Sequence, residues 1–563
     1  MLKKLSLPAK TQLKKDYYLD NFEKLLDFVE TRYFNLLTEQ EKNFLKIFKN
    51  LPHNAKCLYV RLSSRKGPLF RKEKIEYEEI TDLDEAVLFL IEKNLIKVLE
   101  STCELTAFQI DEINLLKLFT KADLEKYLYQ NDNVKFNCKV KYKRKYNNRD
   151  ELDQNCLSAS HLLLELLTSN QILYPLYQEI VKRFFFIFFG NLEQTLSDFI
   201  LEEIGNLRYE PYQLDPQDLY FNNRSIIDNS FEFLNKKILF YEYLERGESS
   251  DIKEARQILI NLKGTIQDDD LLLKRWKKLH YRLGYAYERN KNFREAIACY
   301  EVTSSPPSRE RKIRVLEKIG EKEEAKRLFL EMENNPIDCT EEEFINKRNK
   351  KIESYNFKLV KIKKIKNKNI EDLLLHHLEK EGYQGFFLEN VLWNALFGLY
   401  FWDIIFKPIK GVFFNPFQRG PTDLFSSKEF YLNRKEEIEQ RLHEIRNNER
   451  KNQATLDLYR SKYKTANFFV SWKAITEVEL ELVLKYVKND NLANIFERMI
   501  QDLRKRSCGF PDLFVFNEQN NNYFLVEVKG PGDKLSPTQK EWMTFFQKKE
   551  IPYLVAKVEW LNE

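Results

Sequence analysis

The residues of this chain that could do chemistry lie together near its carboxyl end, in the segment CGFPDLFVFNEQNNNYFLVEVKG from Cys508 to Gly530. Two short apolar runs flank a polar, Asn-rich stretch, a pattern that predicts a β-hairpin. Side chains alternate across a strand, so Glu527 and Lys529 should project from one face, with Asp512 entering beside them from the paired strand. Two carboxylates and a lysine on one patch of sheet suit the binding of Mg²⁺ or Mn²⁺ beside a phosphodiester.

The spacing of these residues is Pro-Asp, then fourteen residues, then Glu-x-Lys, which resembles the PD-(D/E)xK nuclease superfamily. The extension VEVKGPGDKLSPTQKEWMTFF is more specific, and it resembles the VRR-NUC subclass, in which a Gly-Pro loop leads to Leu535, Ser536, Gln539 and Trp542. The alternative is an ordinary hairpin whose polar residues edge the sheet. A buried Glu–Lys pair disfavours that alternative, because such a pair usually destabilises a protein unless it has a task.

Composition limits the remaining possibilities. A chain of 563 residues should hold three or four domains, and 15 Gly with 16 Pro favour long helices over a turn-rich β protein. The net charge of +5 is small against 92 basic and 87 acidic residues, so any affinity for nucleic acid must come from local basic clusters. Seven scattered Cys without a Cys-x-x-Cys pair predict a reducing compartment and no zinc site. No signal peptide or membrane span is evident, and we expect a cytoplasmic protein.

The N-terminal half contains helical spacing over 16–51, and alternating Leu58, Val60 and Leu62 predict a short strand. A second small helical unit is predicted over 110–127. Its core, LLKLFTKADLEKYL, resembles the helix–turn–helix of a SAP-like DNA-binding motif. The densest basic stretch follows at 135–149, and phosphate contacts from such residues are the usual source of nucleic-acid affinity. A solvated linker is the alternative for that stretch. Its candidate DNA-binding residues are Lys139, Lys141, Lys143, Arg144 and Lys145.

Three further segments complete the chain. The aromatic-rich stretch 183–212 predicts a buried helix pair, and 276–332 has the spacing of tetratricopeptide helix pairs, which we expect to brace neighbouring domains. The alternating apolar and basic run 357–369 predicts an exposed-edge strand that closes the repeat region. A helix predicted over 386–406 is apolar nearly all round, and Glu389 near its start needs a partner, which a metal ion shared with Asp512 and Glu527 would supply. Asp403, near the end of that helix, suits a structural contact better.

Taken in order, these landmarks resemble the Fanconi-associated nuclease family in the compact form of its bacterial members. The matching pieces are AKCLYVRL, FFGNLEQTLSDFILEEIG, the tetratricopeptide pair, LENVLWNALFGLYFWDIIF, FNPFQRGPTDLF and the GFPDL…EVKGPGDKLSPTQ core. The resemblance implies a structure-selective nuclease that cuts near 5′ flaps and trims 5′ ends in DNA interstrand crosslink repair. The alternatives are a junction-resolving or restriction-type nuclease, and a non-catalytic DNA-binding scaffold, which the intact set of charged residues disfavours.

The resemblance also implies roles for individual residues. The metal ligands would be Glu389, Asp512, Glu527 and the backbone carbonyl of Val528, and Lys529 would be the catalytic lysine. Asp533 and Lys534 match a charged pair in the loop after the catalytic strand; we assign Lys534 to DNA binding and Asp533, with Gln539, to a supporting role. This chain departs from the family at Glu389, which Leu388 and Asn390 flank instead of glycines.

The predicted fold is multidomain and predominantly α-helical, with a C-terminal α/β nuclease core of the PD-(D/E)xK, restriction-endonuclease-like type, in which helices flank a small mixed sheet. We predict an N-terminal winged-helix-like domain (1–105), a SAP-like domain with the buried helix pair (106–225), a repeat domain (226–369) and the nuclease domain (370–563). A helical insertion at about 424–507 could block the pairing that minimal nucleases of this superfamily use on four-way junctions, so a monomer is expected. The partner would be branched or flapped DNA, the cofactor Mg²⁺ or Mn²⁺.

Overall fold

The computed structural model describes residues 14–65, 67–132, 148–199, 208–212, 215, 218–266, 269–349, 355–387, 389–426, 429–447 and 452–561. Contacts between Cα atoms divide the chain into two compact units, Met1–Gly205 and Asn206–Glu563. Across the described ranges, no helix combines the length and the apolar character that crossing a membrane requires. The division into four domains stays a prediction.

The first unit begins with three helices, α1 (Tyr17–Tyr33), α2 (Glu39–Lys49) and α3 (His53–Ser64). The strand predicted around Leu58 was wrong, because that segment lies inside α3. The four consecutive residues of α3 from Cys57 to Val60 are all buried. A helix that is buried on every side lacks the polar face that would distinguish its sequence pattern from that of a strand. β1 (Phe70–Arg71), α4 (Leu83–Glu92) and β2 (Ile96–Leu99) follow.

Within the described residues, five short helices lie between β2 and the third strand of the same sheet, β3 (Ile172–Pro175). They are α5 (Thr102–Ala107), α6 (Glu112–Leu116), α7 (Lys121–Asp132), α8 (Arg149–Ser158) and α9 (Ser160–Thr168). β3 pairs antiparallel with both β1 and β2, in the order β1-β3-β2. The predicted boundary at 105/106 therefore cuts through a sheet, whose third strand returns after the helical segment.

The last elements described in this unit are α10 (Gln178–Phe189) and a 3₁₀ turn (Leu196–Phe199). Phe184, Phe186 and Phe188 of α10 are buried, which confirms the aromatic stripe there as core. Residues 135–147 of the predicted basic stretch lie outside the described residues, and so do its candidate DNA-binding residues Lys139, Lys141, Lys143, Arg144 and Lys145.

The second unit opens with a run of helices. They are α11 (Arg224–Arg246), α12 (Ser249–Ile266), α13 (Asp270–Arg289), α14 (Phe293–Thr303), α15 (Ser308–Lys318), α16 (Lys322–Asn334) and α17 (Cys339–Arg348). α13 and α14 form the helix pair that the sequence predicts. They approach closely at Gly284, where an added Cβ would lie 2.8 Å from a ring carbon of Tyr300. A larger residue at this point would push the two helices apart.

The C-terminal region contains a five-stranded mixed sheet in the order β4-β8-β7-β6-β5. Its strands are β4 (Phe357–Ile362), β5 (Gln384–Phe387), β6 (Leu513–Asn517), β7 (Asn522–Lys529) and β8 (Tyr553–Trp560). β6 and β7 form the predicted hairpin, and β7 and β4 each run parallel to β8. β4 is the predicted edge strand, but it belongs to this sheet and not to the repeat region, so the sheet begins upstream of the predicted boundary at 369/370.

Helices cover both faces of the sheet. α18 (Ile370–Lys380) packs its leucines against Val526 and Val528 on one face. On the other face, Leu525 and Phe514 join a large core with α19 (Glu389–Tyr400), α20 (Trp402–Ile405) and α27 (Pro537–Lys548). The predicted helical insertion contributes α21 (Glu429–Leu432), α22 (Lys435–Arg446), α23 (Asn452–Ser461), α24 (Glu477–Tyr486), α25 (Asn489–Gln501) and α26 (Leu503–Arg506).

Candidate active site

Asp512 lies at the open end of the β6–β7 hairpin, next to β7. The ladder between β6 and β7 pairs Leu513 with Val526, so Asp512 lies one step beyond the ladder, beside Glu527 and Val528. Its Oδ2 accepts a hydrogen bond from the backbone N–H of Val528 at 2.7 Å. The N–H and C=O of one strand residue point to the same side. The Val528 carbonyl therefore also points past the end of β6, toward the side where Asp512 lies.

Glu527 and Lys529 project from the same face of β7, as the alternation predicts. The Nζ of Lys529 lies 2.8 Å from Oε1 of Glu527, and the Glu527 side chain is fully buried while that of Lys529 is 13% exposed. Gln539 donates a second hydrogen bond from Nε2 to the same Oε1 at 2.6 Å. One oxygen of Glu527 is thus fixed by two donors.

Gln539 reaches Glu527 because of the way α27 begins. Ser536 caps the helix, accepting from the Gln539 N–H while the Gln539 side-chain oxygen accepts from the Ser536 N–H at 2.8 Å. This reciprocal capping box fixes the Gln539 side chain through its oxygen, which leaves its amide nitrogen for Glu527. Gln539 is therefore both a helix cap and a support of the site, and not a plain surface residue of the helix.

Glu389 sits at the junction of β5 and α19. The predicted helix over 386–406 was wrong at its start, because β5 runs to Phe387 and pairs with β6, and α19 begins at Glu389 itself. Glu389 has a positive φ of 33°, a backbone conformation that non-glycine residues adopt rarely. Its N–H donates to the carbonyl of Asp512 at 3.1 Å, so the two acidic residues belong to backbone segments that are bonded to each other.

Asn390 is a support that the sequence did not single out for a role. Its Nδ2 donates to Oε1 of Glu389 at 2.9 Å, and its Oδ1 accepts from the N–H of Phe510 at 3.1 Å. Phe510 opens the turn that carries Asp512. One side chain thus links the Glu389 carboxylate to the Asp512 turn. The only signal in the sequence was the amide residue where the family has a glycine.

The carboxylates of the site repel one another. Burial raises the pKa of Glu527 to about 8, and the charge of Asp512 adds to that effect while Lys529 opposes it. Burial likewise raises the pKa of Asp512 to about 6, against the Val528 N–H and Lys529, which favour the charged form; Glu389 adds repulsion. Three acidic groups and one lysine in a buried site leave a deficit of positive charge.

The residues fit a hard divalent cation. The second oxygen of Glu527, Oε2, is buried and has no hydrogen-bond partner among the described residues. Carboxylate and carbonyl oxygens without His or Cys suit Mg²⁺ or Mn²⁺ better than zinc. No group of three His, Cys, Asp or Glu side chains in the described ranges is already gathered closely enough to hold an ion. The other oxygen of Glu527, Oε1, already has a positively charged neighbour in the ammonium group of Lys529.

Other predicted residues lie beside the site without joining it. The Asp533 carboxylate accepts from the N–H of Gly530 at 3.1 Å and so closes the loop that follows β7. Lys534 is exposed on that loop. Asp403 forms two hydrogen bonds with Arg441, at 3.0 and 2.8 Å, the structural contact that we expected for it.

Comparison with known proteins identifies the family. The family model of the FAN1 HTH domain matches residues 16–97, and that of the VRR-NUC domain, a family that generally depends on a divalent metal, matches residues 446–560. Glu389 lies outside the second match. The Fanconi-associated nuclease 1 homolog of Pseudomonas aeruginosa is 30% identical over 97% of this chain and 96% of that protein. The homolog of Arabidopsis thaliana is 26% identical over 96% of this chain and 67% of that protein.

A solved structure is similar over the same extent. The crystal structure of paFAN1 bound to 2nt 5′ flap DNA with gap aligns with 99% of this chain and 100% of that chain, with a TM-score of 0.79 and 27% sequence identity. The likeness therefore includes the helical regions as well as the catalytic hairpin. By sequence identity over nearly its whole length, this chain belongs to the Fanconi-associated nuclease family.

Proposed function

We propose that this protein is a structure-selective DNA nuclease that cuts phosphodiesters near 5′ flaps with the help of a divalent metal ion. The observation that carries the proposal is the cluster of Asp512, Glu527 and Lys529 on the hairpin of the sheet, in which Glu527 is fully buried and has a carboxylate oxygen, Oε2, without a hydrogen-bond partner among the described residues. The likeness to paFAN1, which was crystallised with 5′ flap DNA, supports the choice of substrate. From the resemblance to the Fanconi-associated nuclease family, we further propose that the activity serves interstrand crosslink repair.

Glu389, Asp512, Glu527 and the Val528 carbonyl would hold Mg²⁺ or Mn²⁺, which supplies Lewis-acid stabilisation of negative charge on the phosphate. Lys529 supplies a second positive charge at the same place. Hydrolysis adds negative charge to the attacked phosphate and the departing oxygen, and a fixed ammonium group stabilises that charge and positions the attacking water. Gln539 hydrogen-bonds to the Glu527 carboxylate, and Asn390 links Glu389 to the Asp512 turn, so both carboxylates have fewer orientations to lose when they engage the metal.

The experiment that tests this function is cleavage mapping on a 5′-labelled flap across a metal series, with flapped, nicked, forked and four-way DNA side by side. Wild type should cut near the flap junction and need Mg²⁺ or Mn²⁺. Asp512→Ala and Lys529→Ala should lose the activity. Glu518→Ala, in the exposed turn of the same hairpin, is the matched control and should retain it.

Two results would contradict the proposal. Divalent-dependent cleavage that survives Asp512→Ala would remove the hairpin from the chemistry. Symmetric cutting of four-way junctions by a dimer, in preference to flaps, would instead make the protein a junction-resolving enzyme with the same catalytic residues.

A further inference from the structure

A groove on the repeat helices is separate from the active site. It lies among α12, α13 and α14 and encloses a cavity of about 420 Å³. Its lining includes Ile260, Trp276, Leu283 and Val302, with Arg256 and Lys263 on the α12 side. We call this feature the repeat groove. Its volume is within the range of protein sites that bind ligands.

The floor of the repeat groove is rigid and apolar. The indole N–H of Trp276 donates to the carbonyl of Leu259 at 2.9 Å, and the ring lies against His280 with ring centroids 3.9 Å apart. The donor of Trp276 is therefore already used inside the protein. His280 is likewise bonded to the Trp276 carbonyl through Nδ1 at 3.2 Å. Both rings contribute shape and apolar surface to the groove.

The rim of the groove leaves large apolar side chains in water. Ile260 is 55% exposed and Val302 is 37% exposed, on two different helices that border the same cavity. Burying such side chains gains roughly 25 cal/mol per Å² of apolar surface. A contiguous patch of exposed apolar side chains marks a binding site more often than single exposed residues do.

The charges of the α12 rim are unpaired. Arg256 and Lys263 are exposed and form no ion pair with any described residue, unlike Arg311, which pairs with Glu288, and Lys312, which pairs with Glu301. Seven residues along a helix separate the two cations by about 10 Å, with Ile260 between them. Glu295, on α14, is the single acidic residue among the described residues that line the groove. The net charge of the lining is positive.

The groove faces away from the nuclease domain. On α13, Trp276 and Leu283 lie on the groove side, and Lys278 lies on a different face of the helix. Lys274 lies one turn before Lys278 on that face and forms an ion pair with Glu429 of α21. The face of α13 near the nuclease domain is thus basic, while the groove face is apolar.

We propose that the repeat groove docks a short segment of a partner protein, in which one or two apolar side chains are flanked by carboxylates. The apolar side chains would cover the Trp276 floor between Ile260 and Val302. The carboxylates would pair with Arg256 and Lys263, at a spacing of about 10 Å set by the two turns of α12 between them. The repeat helices then recruit the nuclease to another protein, in addition to bracing its domains.

Peptide selection on the full-length protein tests this proposal. A displayed library of random 12-residue peptides would be enriched on wild type and counter-selected on the double variant Arg256→Glu/Lys263→Glu. The enriched peptides, labelled with fluorescein, would then be titrated by anisotropy. We expect an apolar centre with acidic flanks, and a loss of affinity of roughly tenfold or more in Arg256→Glu/Lys263→Glu and in Ile260→Asp.

The matched controls are Lys326→Glu and Leu330→Asp, an exposed cation and an exposed apolar residue on α16, outside the groove. Both should bind the peptides as wild type does, and the groove variants should cut flap DNA at the wild-type rate. Three results would overturn the proposal. They are a selection without enriched peptides, enriched peptides that bind the groove variants equally well, and a loss of flap DNA affinity in Arg256→Glu/Lys263→Glu, which would make the groove a DNA contact.

Discussion

Replacing Glu527 by glutamine should stabilise the metal-free protein while it abolishes cleavage. The Glu527 carboxylate is fully buried, and its pKa is raised from the ordinary 4.5 to about 8 by burial and by the charge of Asp512. The folded protein therefore holds a proton on Glu527 between pH 4.5 and 8 that the unfolded chain releases. Stability must fall as pH rises through this window, and the loss is complete above pH 8.

The size of the effect follows from the same values. At 1.36 kcal/mol for each pH unit between 4.5 and about 8, ionising Glu527 costs the folded state about 5 kcal/mol above pH 8. Glu527→Gln removes this cost and keeps a side-chain oxygen for the hydrogen bonds from Lys529 and Gln539. The gain in the variant should be smaller, about 1–3 kcal/mol, because Lys529 then loses its charged partner in a buried site.

The assay is chemical unfolding followed by tryptophan fluorescence, in EDTA, at pH 5 and at pH 8.5. Wild type should be less stable at pH 8.5 than at pH 5, and Glu527→Gln should reduce this difference. Glu518→Gln, in the exposed turn of the same hairpin, is the control and should behave as wild type does. Excess Mg²⁺ should stabilise wild type at pH 8.5 and leave Glu527→Gln almost unchanged. If Glu527→Gln unfolds at the wild-type midpoint at both pH values, the carboxylate is not under electrostatic strain and the reasoning is refuted.

Three further variants test the supports of the site. Lys529→Met should lower single-turnover cleavage of a 5′ flap by roughly 10²–10³-fold, because a fixed positive charge is lost, while flap binding measured by anisotropy stays near wild type. Gln539→Ala should raise the divalent concentration that gives half-maximal cleavage by about tenfold or more, since Glu527 loses its 2.6 Å hydrogen bond; Lys540→Ala, one residue on, should leave that concentration unchanged. Asn390→Ala should weaken Mn²⁺ binding by about 10–100-fold in calorimetric titration, and unchanged binding would mean that Asn390 does not position Glu389.

The catalytic hairpin could be predicted because its information is local. Asp512, Glu527 and Lys529 occur within eighteen residues, and strand alternation with one polar turn is enough to place them together. The VRR-NUC extension pointed to Gln539 for the same reason, although its double role required the geometry of the capping box. In each case the residues that contact one another lie within one short segment of the chain.

Features that depend on distant partners could not be predicted in the same way. β5 was assigned to a helix because Phe386 and Phe387 continue the apolar pattern of α19; its strand character comes from pairing with β6. β4 was predicted as a strand but assigned to the repeat region. In the structure it belongs to the C-terminal sheet, where Phe357 pairs with Val555 on β8, nearly 200 residues later in the chain. β3 likewise completes a sheet whose other strands precede a helical segment. Periodicity predicts the type of an element more reliably than it predicts the neighbour with which the element pairs.

Hydrogen bonds from several parts of the chain hold Glu389, Asp512 and Glu527 near one another despite the repulsion between their carboxylates. Four segments that are far apart in sequence hold it: the β5–α19 junction at Glu389, the turn at Asp512, strand β7 and the start of α27. Each contributes hydrogen bonds to one carboxylate group or its backbone. Because these segments are fixed by the sheet and its flanking core, the acidic groups cannot relax apart, and their repulsion is kept in the folded state. A divalent cation bound there would remove that repulsion, so the electrostatic strain of the metal-free protein and its affinity for metal have the same physical origin.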